Sequence, residues 1–281
     1  MKVRIKFQKY GAMKFIGHLD VMRYFQKAFR RAGFDNEYSK GFSPHQIMSF
    51  AAPLGVGLTS DGEYLDVELK SSDSPEIMVN RLNTVMTEGF RIIGYKFLKE
   101  REENQKNVTA MAQVASADYL VSLKDGSAVP ELINTQEKFS RAFREFYTAE
   151  GIVIDKKTKT SEKAVDIKPM ITLVAFTSEE YEELKEKTLQ QLSGEAESGF
   201  PLSSEAGIPI SVADVYRNGI RVYLQLATGS SANLKPELVM EAFFNHIGVE
   251  FPGFAWQVHR LEVYSRDEFG GKLIPLDDLD R

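Results

Sequence analysis

The hydrophobic pattern of the first hundred residues changes period several times, and each change marks an element. Lys2, Val3, Arg4, Ile5, Lys6 and Phe7 alternate charged and apolar side chains, the period of two of a half-buried strand. From 19 to 32 the spacing becomes three and four. Leu19, Met22, Phe25, Phe29 and Ala32 form an apolar helical stripe, with Arg23, Lys27, Arg30 and Arg31 on the opposite side. Gly33 is placed to end that helix. Residues 41–50 read as extended because Pro44 disfavours a helix, and 52–57 read as loop. Tyr64, Asp66, Val67 and Leu69 predict a further strand. Ser74 and Pro75 then open a second helix carrying Ile77, Leu82, Val85 and Met86, and a strand follows over 90–98. The order β-α-β-β-α-β is the ferredoxin-like one.

Residues 100–114 are polar and aperiodic, and 100–116 read as a linker. Beyond it the order returns: a strand near 119–123, then a helix over 129–150 with Leu132, Phe139, Phe143 and Phe146 inward. A hairpin has one arm ending near 155–159 and a return arm running from 164 through 176. After an insertion over about 178–218 come a strand at 220–226, a helix at 236–246 and a strand at 256–264. The acidic run Glu179, Glu180, Glu182 and Glu183 in the insertion reads as a solvated helix face. The expected fold is α+β, with tandem ferredoxin-like subdomains at 1–99 and 117–281.

Charge changes this picture more than composition does. The net charge of −5 divides unevenly: residues 1–50 hold ten basic against three acidic side chains, +7, and the rest hold 25 against 37, −12. A basic end on an acidic protein suits an anionic partner such as nucleic acid, although a solvated charged face reads the same way. Cysteine is absent, which excludes disulfides, thiolate metal clusters, cysteine nucleophiles and a cysteine-held iron–sulfur cluster. The alternating N-terminus is unlike a signal peptide, and no stretch is long and apolar enough for a bilayer; a cytoplasmic location without membrane is expected.

Several ordered motifs carry a family likeness. Arg4-Ile5-Lys6-Phe7, Lys14-Phe15-Ile16-Gly17-His18-Leu19-Asp20, Arg30-Arg31-Ala32-Gly33, Gly41-Phe42-Ser43-Pro44-His45, Pro53-Leu54-Gly55-Val56-Gly57 and Gly62-Glu63-Tyr64-Leu65-Asp66 together resemble the radical-SAM-linked protein family. Lys157-Thr158-Lys159 with Val165-Asp166-Ile167-Lys168-Pro169 looks like its second signature. That family is a bacterial domain of unknown function found beside, or fused behind, a cobalamin-binding radical SAM protein. The resemblance implies such a partner and supplies no reaction. Lys14 departs from it, since arginine is expected there; the charge is kept and the bidentate fork is lost.

The candidate chemistry lies mostly in the first half. His18 and His45 are the catalytic candidates, as acid and base of a metal-independent endoribonuclease; either also reads as a ligand contact, and His18, just before a helix, reads first as a residue that orients the turn. No HxxxH or HxH spacing points to a metal, and no cofactor is expected. For nucleic acid the candidates are Lys14, Arg23, Lys27, Arg30, Arg31, Lys40, Ser43 and His45, with Lys157 and Lys159 on the hairpin. Phe42 reads as core or as a stacking platform. His246 and His259 read as structural or solvent-facing, and Trp256 as core. The leading reading is a non-catalytic accessory module that partners a radical SAM enzyme and recognises RNA or presents substrate, with an exposed sheet face available to stack bases. An endoribonuclease and a protein-only adaptor with an acidic docking half are the alternatives.

Overall fold

The computed structural model describes residues 1–99, 109–157, 162–190, 199–201, 211–230, 232–266 and 271–279. In chain order the strands and helices are β1 (Lys2–Lys9), α1 (His18–Arg31), β2 (Asp35–Asn36), β3 (Met48–Phe50), β4 (Thr59–Ser71), α2 (Pro75–Asn83), β5 (Phe90–Phe97) and α3 (Ala110–Gln113). They continue with β6 (Ser116–Leu123), α4 (Gln136–Tyr147), β7 (Val153–Lys157), β8 (Glu162–Asp166), β9 (Ile171–Ala175) and α5 (Ser178–Thr188). The remainder are β10 (Gly199–Pro201), β11 (Arg221–Ala227), α6 (Pro236–His246), β12 (Trp256–Arg266) and β13 (Leu273–Pro275). The protein is α+β. Among the described residues no helix is long and apolar enough to cross a membrane.

Two compact units emerge, and neither is contiguous. It comprises Met1–Val114, Gln190–Ala213 and Arg260–Arg281; the second comprises Ala115–Leu189 and Asp214–His259. Residues 260–281 therefore group with the N-terminal part of the chain, where the sequence alone assigns them to the second half.

In the first unit β5, β1 and β4 lie side by side and antiparallel, β3 pairs with β4 through Met48↔Val67, and β10 adds to β5. Val3, Ile5 and Phe7 of β1 are at most 2% exposed and meet Phe25 and Phe29 of α1 and Met78, Val79 and Leu82 of α2. Rings dominate this core: Phe25 stands 4.7–6.0 Å from Phe7, Tyr24, Phe29, Phe50 and Phe90. The stripe of α1 differs from the spacing reading, because Val21 and Ala28 are buried and Leu19 is 60% exposed. Ile77 is likewise exposed on α2, with Met78 and Val79 inward. Gly33 ends α1 as expected: at φ +67° it lets Phe34 N donate to Phe29 O and Gly33 N to Arg30 O, and the Phe29 and Phe34 rings stack over the turn.

The other face of this sheet is not an open platform. Arg4 makes a two-pronged contact with Asp66, at 2.7 and 3.0 Å, and also donates to Leu276 O and Gln113 Oε1. Lys6 bonds Glu262 and Asp277, and Tyr64 donates to Glu262. Arg4, Tyr64 and Asp66 are at most 3% exposed. Burial pulls the Lys6 ammonium down, but Asp277 and Glu262 outweigh it and hold the amine charged. The expectation of a base-stacking sheet face fails in this unit because the segment around Leu276 and Asp277 covers it. Part of the N-terminal +7 is thereby neutralised internally.

In the second unit β6, β11 and β9 are antiparallel neighbours, and the first residues of β12 lie beside β6. Phe139 and Phe143 of α4 pack with Phe176 and Phe243, and Trp256 lies in the same core at 5.4 Å from Phe139. The helix read over 129–150 is shorter: Thr135 caps it through Lys138 N, and Leu132 is exposed in the turn before it. β7 and β8 form their own two-stranded sheet, so the long return arm is broken at Lys168–Met170. The insertion starts with α5, whose Tyr181 stacks on Tyr223 at 4.8 Å and donates to buried Asp118. Its Glu182 and Glu183 stay exposed, whereas Glu180 accepts from Phe176 N and pairs with Arg144.

Candidate nucleic-acid interface

The amphipathic spacing of α1 turns its core residues inward and so leaves its cations outward. Arg23, Lys27 and Arg30, at i, i+4 and i+7, form one exposed stripe. Arg23 contacts Asp20 at 3.4 Å with both side chains about two-thirds exposed, a pairing worth little in water. Lys27 and Arg30 have no ion-pair partner among the described residues. Arg31 departs from the expected row. Its guanidinium donates to Val85 O and lies over the Tyr24 ring at 5.8 Å, so it is spent on joining α1 to the end of α2.

A tight loop stands beside this stripe. Ser39 N donates to His45 O, His45 N donates to Ser39 Oγ, and Ser39 Oγ and His45 Nδ1 are 2.8 Å apart. Gly41 at φ +116° supplies the conformation that closes it. The neighbouring Gln46 side chain is buried and donates to Gln26 O, which ties the loop to the middle of α1 between Arg23 and Arg30. Lys40, Ser43 and His45 are all exposed, and Phe42 is completely so. Phe42 is thus not core. The structure brings Arg23, Lys27, Arg30, Lys40, Ser43 and His45 to this part of the surface.

The other candidates separate from it. Lys14 is half-buried on the turn before α1, its ammonium over the Phe15 ring at 5.5 Å. Lys159 and the Lys157 side chain lie outside the described residues. His18 is half-buried with its ring edge-on to Phe50 at 5.1 Å, in a crevice shared with Phe7, Lys9, Val21, Leu54 and Glu63. Burial, and secondarily Lys9, push its imidazole below the ordinary histidine value. His18 and His45 therefore occupy different settings, one in a crevice and one on an open loop.

Sequence reading missed the charged floor of that crevice. Lys9 is 1% exposed, donates to Ile16 O, and is lowered by burial despite Glu63. Glu63 pairs at 3.0 Å with Arg260, which also donates to Ala52 O. One signal was present: Glu63 shares strand parity with Leu65 and Val67, which places a carboxylate on the core-facing side. Among the described residues no group of three or more His, Asp or Glu side chains could hold a metal.

A family profile matches residues 2–200 and is described as an uncharacterized protein conserved in bacteria. The chain belongs to the DUF2344 family. No curated protein matches it. Among solved structures it is similar to the crystal structure of a Cbf5-Nop10-Gar1 complex, at 9% identity and a TM-score of 0.40. That likeness covers 95% of this chain and 50% of the other, so the chain spans half the length of the protein it matches, and at that score no fold or function transfers. The DUF2344 match includes α1, the Ser39–His45 loop and Glu63, but not Arg260 or Glu262.

Proposed function

We propose that the protein is a non-catalytic accessory module that receives the phosphates of RNA on the Arg23–Lys27–Arg30 stripe and the adjoining loop, and presents that RNA to a radical SAM partner. One observation carries the reading: a cationic stripe, paired among the described residues only through the exposed Arg23–Asp20 contact, stands beside a loop that holds a fully exposed phenylalanine. Cations at helical spacing suit successive phosphates, and a solvent-facing ring suits an unstacked base. Ser43 and His45 add donors at the same place. We read both units as ferredoxin-like. The strand orders β5-β1-β4-β3 and β12-β6-β11-β9, with α1 and α2 or α4 and α6 as the crossovers, support this. Because the first unit's second sheet face is covered, binding falls to the helix and loop.

The test is a gel-shift series on several single-stranded RNAs across salt. Arg23→Glu with Lys27→Glu and Arg30→Glu weakens binding to all of them alike and lowers the log–log salt slope by about 2, at roughly 0.7 per lost phosphate contact. Phe42→Ala costs about 1–3 kcal/mol of affinity if one base stacks there. Wild-type protein that shifts no RNA at low salt refutes the reading. RNA cleavage abolished by His45→Ala or His18→Ala, with affinity kept, replaces it with the endoribonuclease.

A further inference from the structure

The second unit contains a cleft that the RNA reading does not use. It has a volume of about 490 Å³ and lies among the C-terminal turn of α4, the C-terminal half of α6 and the first residues of β7. That volume is in the range of small-molecule sites. Its apolar lining includes Phe146, Ile152, Val153, Leu238 and Ala242; among the described residues its carboxylates are those of Asp155 and Glu241, and no lysine or arginine lines it.

The backbone reinforces that sign. Phe146 and Ala149 come from the end of α4, and Asn245 and His246 from the end of α6, so two helix C-termini border the same space. Each is the negative pole of its helix, although most of the last carbonyls accept hydrogen bonds from the residues that follow. A neighbouring group responds to this field: the Lys168 ammonium donates to Tyr147 O and Ala149 O just past the end of α4. One cation is thus already drawn to the margin, while the cleft itself presents two further carboxylates. The His246 ring rests against Phe146 at 5.5 Å and adds an aromatic wall.

We propose that this cleft binds an organic cation, a primary amine or guanidine carried on an apolar body. The apolar part occupies the surface of Phe146, Ile152, Leu238 and Ala242, and the charged end faces Asp155 and Glu241. An anionic ligand of the same shape is rejected by those carboxylates and by the end of α6, the pole of α4 being offset by Lys168.

Amide NMR spectra of the full chain test this with a matched pair of probes, 3-phenylpropylammonium and 3-phenylpropionate, titrated into the millimolar range. The expected result is saturable shifts at 151–155 and 238–246 with the amine and none with the carboxylate. Glu241→Gln and Asp155→Asn each weaken the amine about fivefold, since each removes one partly solvated charge. Both side chains are exposed, so the variants keep the spectrum of the folded protein. Ala149→Trp, which fills the cleft from an exposed position, abolishes the shifts. Equal shifts with both probes would reduce the cleft to an unselective apolar crevice and overturn the proposal; so would the absence of shifts with the amine. RNA binding is unaffected by these variants, which keeps this outcome separate from that of the α1 stripe.

Discussion

At the residue scale the central contrast is between side chains that keep their charge for solvent and those that spend it inside. The alternation in Lys2–Phe7 correctly gives two faces, and the apolar one is core. It does not reveal what covers the other, because the partners of Lys6 lie 256 and 271 positions away and pattern carries no information at that range. The burial of Lys9 lies equally beyond local pattern, because the Glu63 and Arg260 charges it faces come from distant strands. His18 yields a pH prediction. Its folded value is lowered, so the stability it permits is complete above 6.5, its ordinary value, and declines as pH falls below that and the buried ring must take a proton. Urea midpoints measured from pH 8 to 5 fall more steeply for wild type than for His18→Gln. Parallel curves would show that the crevice tolerates imidazolium.

At the scale of elements, local signals served well where they were self-sufficient. α6 occupies the residues its spacing predicts, and Gly33 closes α1 by the expected mechanism. The helix before Thr135 failed because Pro130 and the 3-10 turn at Glu131–Ile133, where Ile133 N donates to Pro130 O, continue its apolar spacing without α-helical hydrogen bonds. The candidate site was legible as residue types on α1, while the exclusion of Arg31 depended on the end of α2. A second junction deserves a mutation. Gly89, at φ +98°, accepts from Tyr10 N, and a side chain there would meet Tyr10 O at 2.8 Å and Met13 Cγ at 2.5 Å. Gly89→Ala is expected to cost about 2 kcal/mol or more, through left-handed strain and displacement of the turn carrying Lys14. Equilibrium urea unfolding measures it; a loss below the error of extrapolation would mean that the turn moves freely.

At the scale of the whole molecule, the first unit needs chain from both ends of the sequence. Residues 1–114 contain its β1, β4 and β5 but not Glu262, Asp277 or Arg260. Made alone, that fragment opens the Lys6 face to water and leaves Glu63, on the core-facing side, without Arg260, and one stranded buried charge costs about 3–5 kcal/mol. Against a usual net stability of about 5–15 kcal/mol, the fragment is expected to show no cooperative unfolding where 1–281 does. A sharp urea transition for 1–114, followed by circular dichroism, would show that those partners are dispensable.

The same separation has a consequence in time. A ribosome adding about 5–20 residues per second takes roughly 13–50 seconds to travel from Lys6 to Glu262. Throughout that interval the second sheet face has no lid, and every residue of the second unit is polymerised before Glu262 emerges to supply one. A nascent chain of this kind holds a cationic strand open until the second unit has been made, a window in which a chaperone or the anionic ribosomal RNA at the tunnel mouth competes for Arg4 and Lys6.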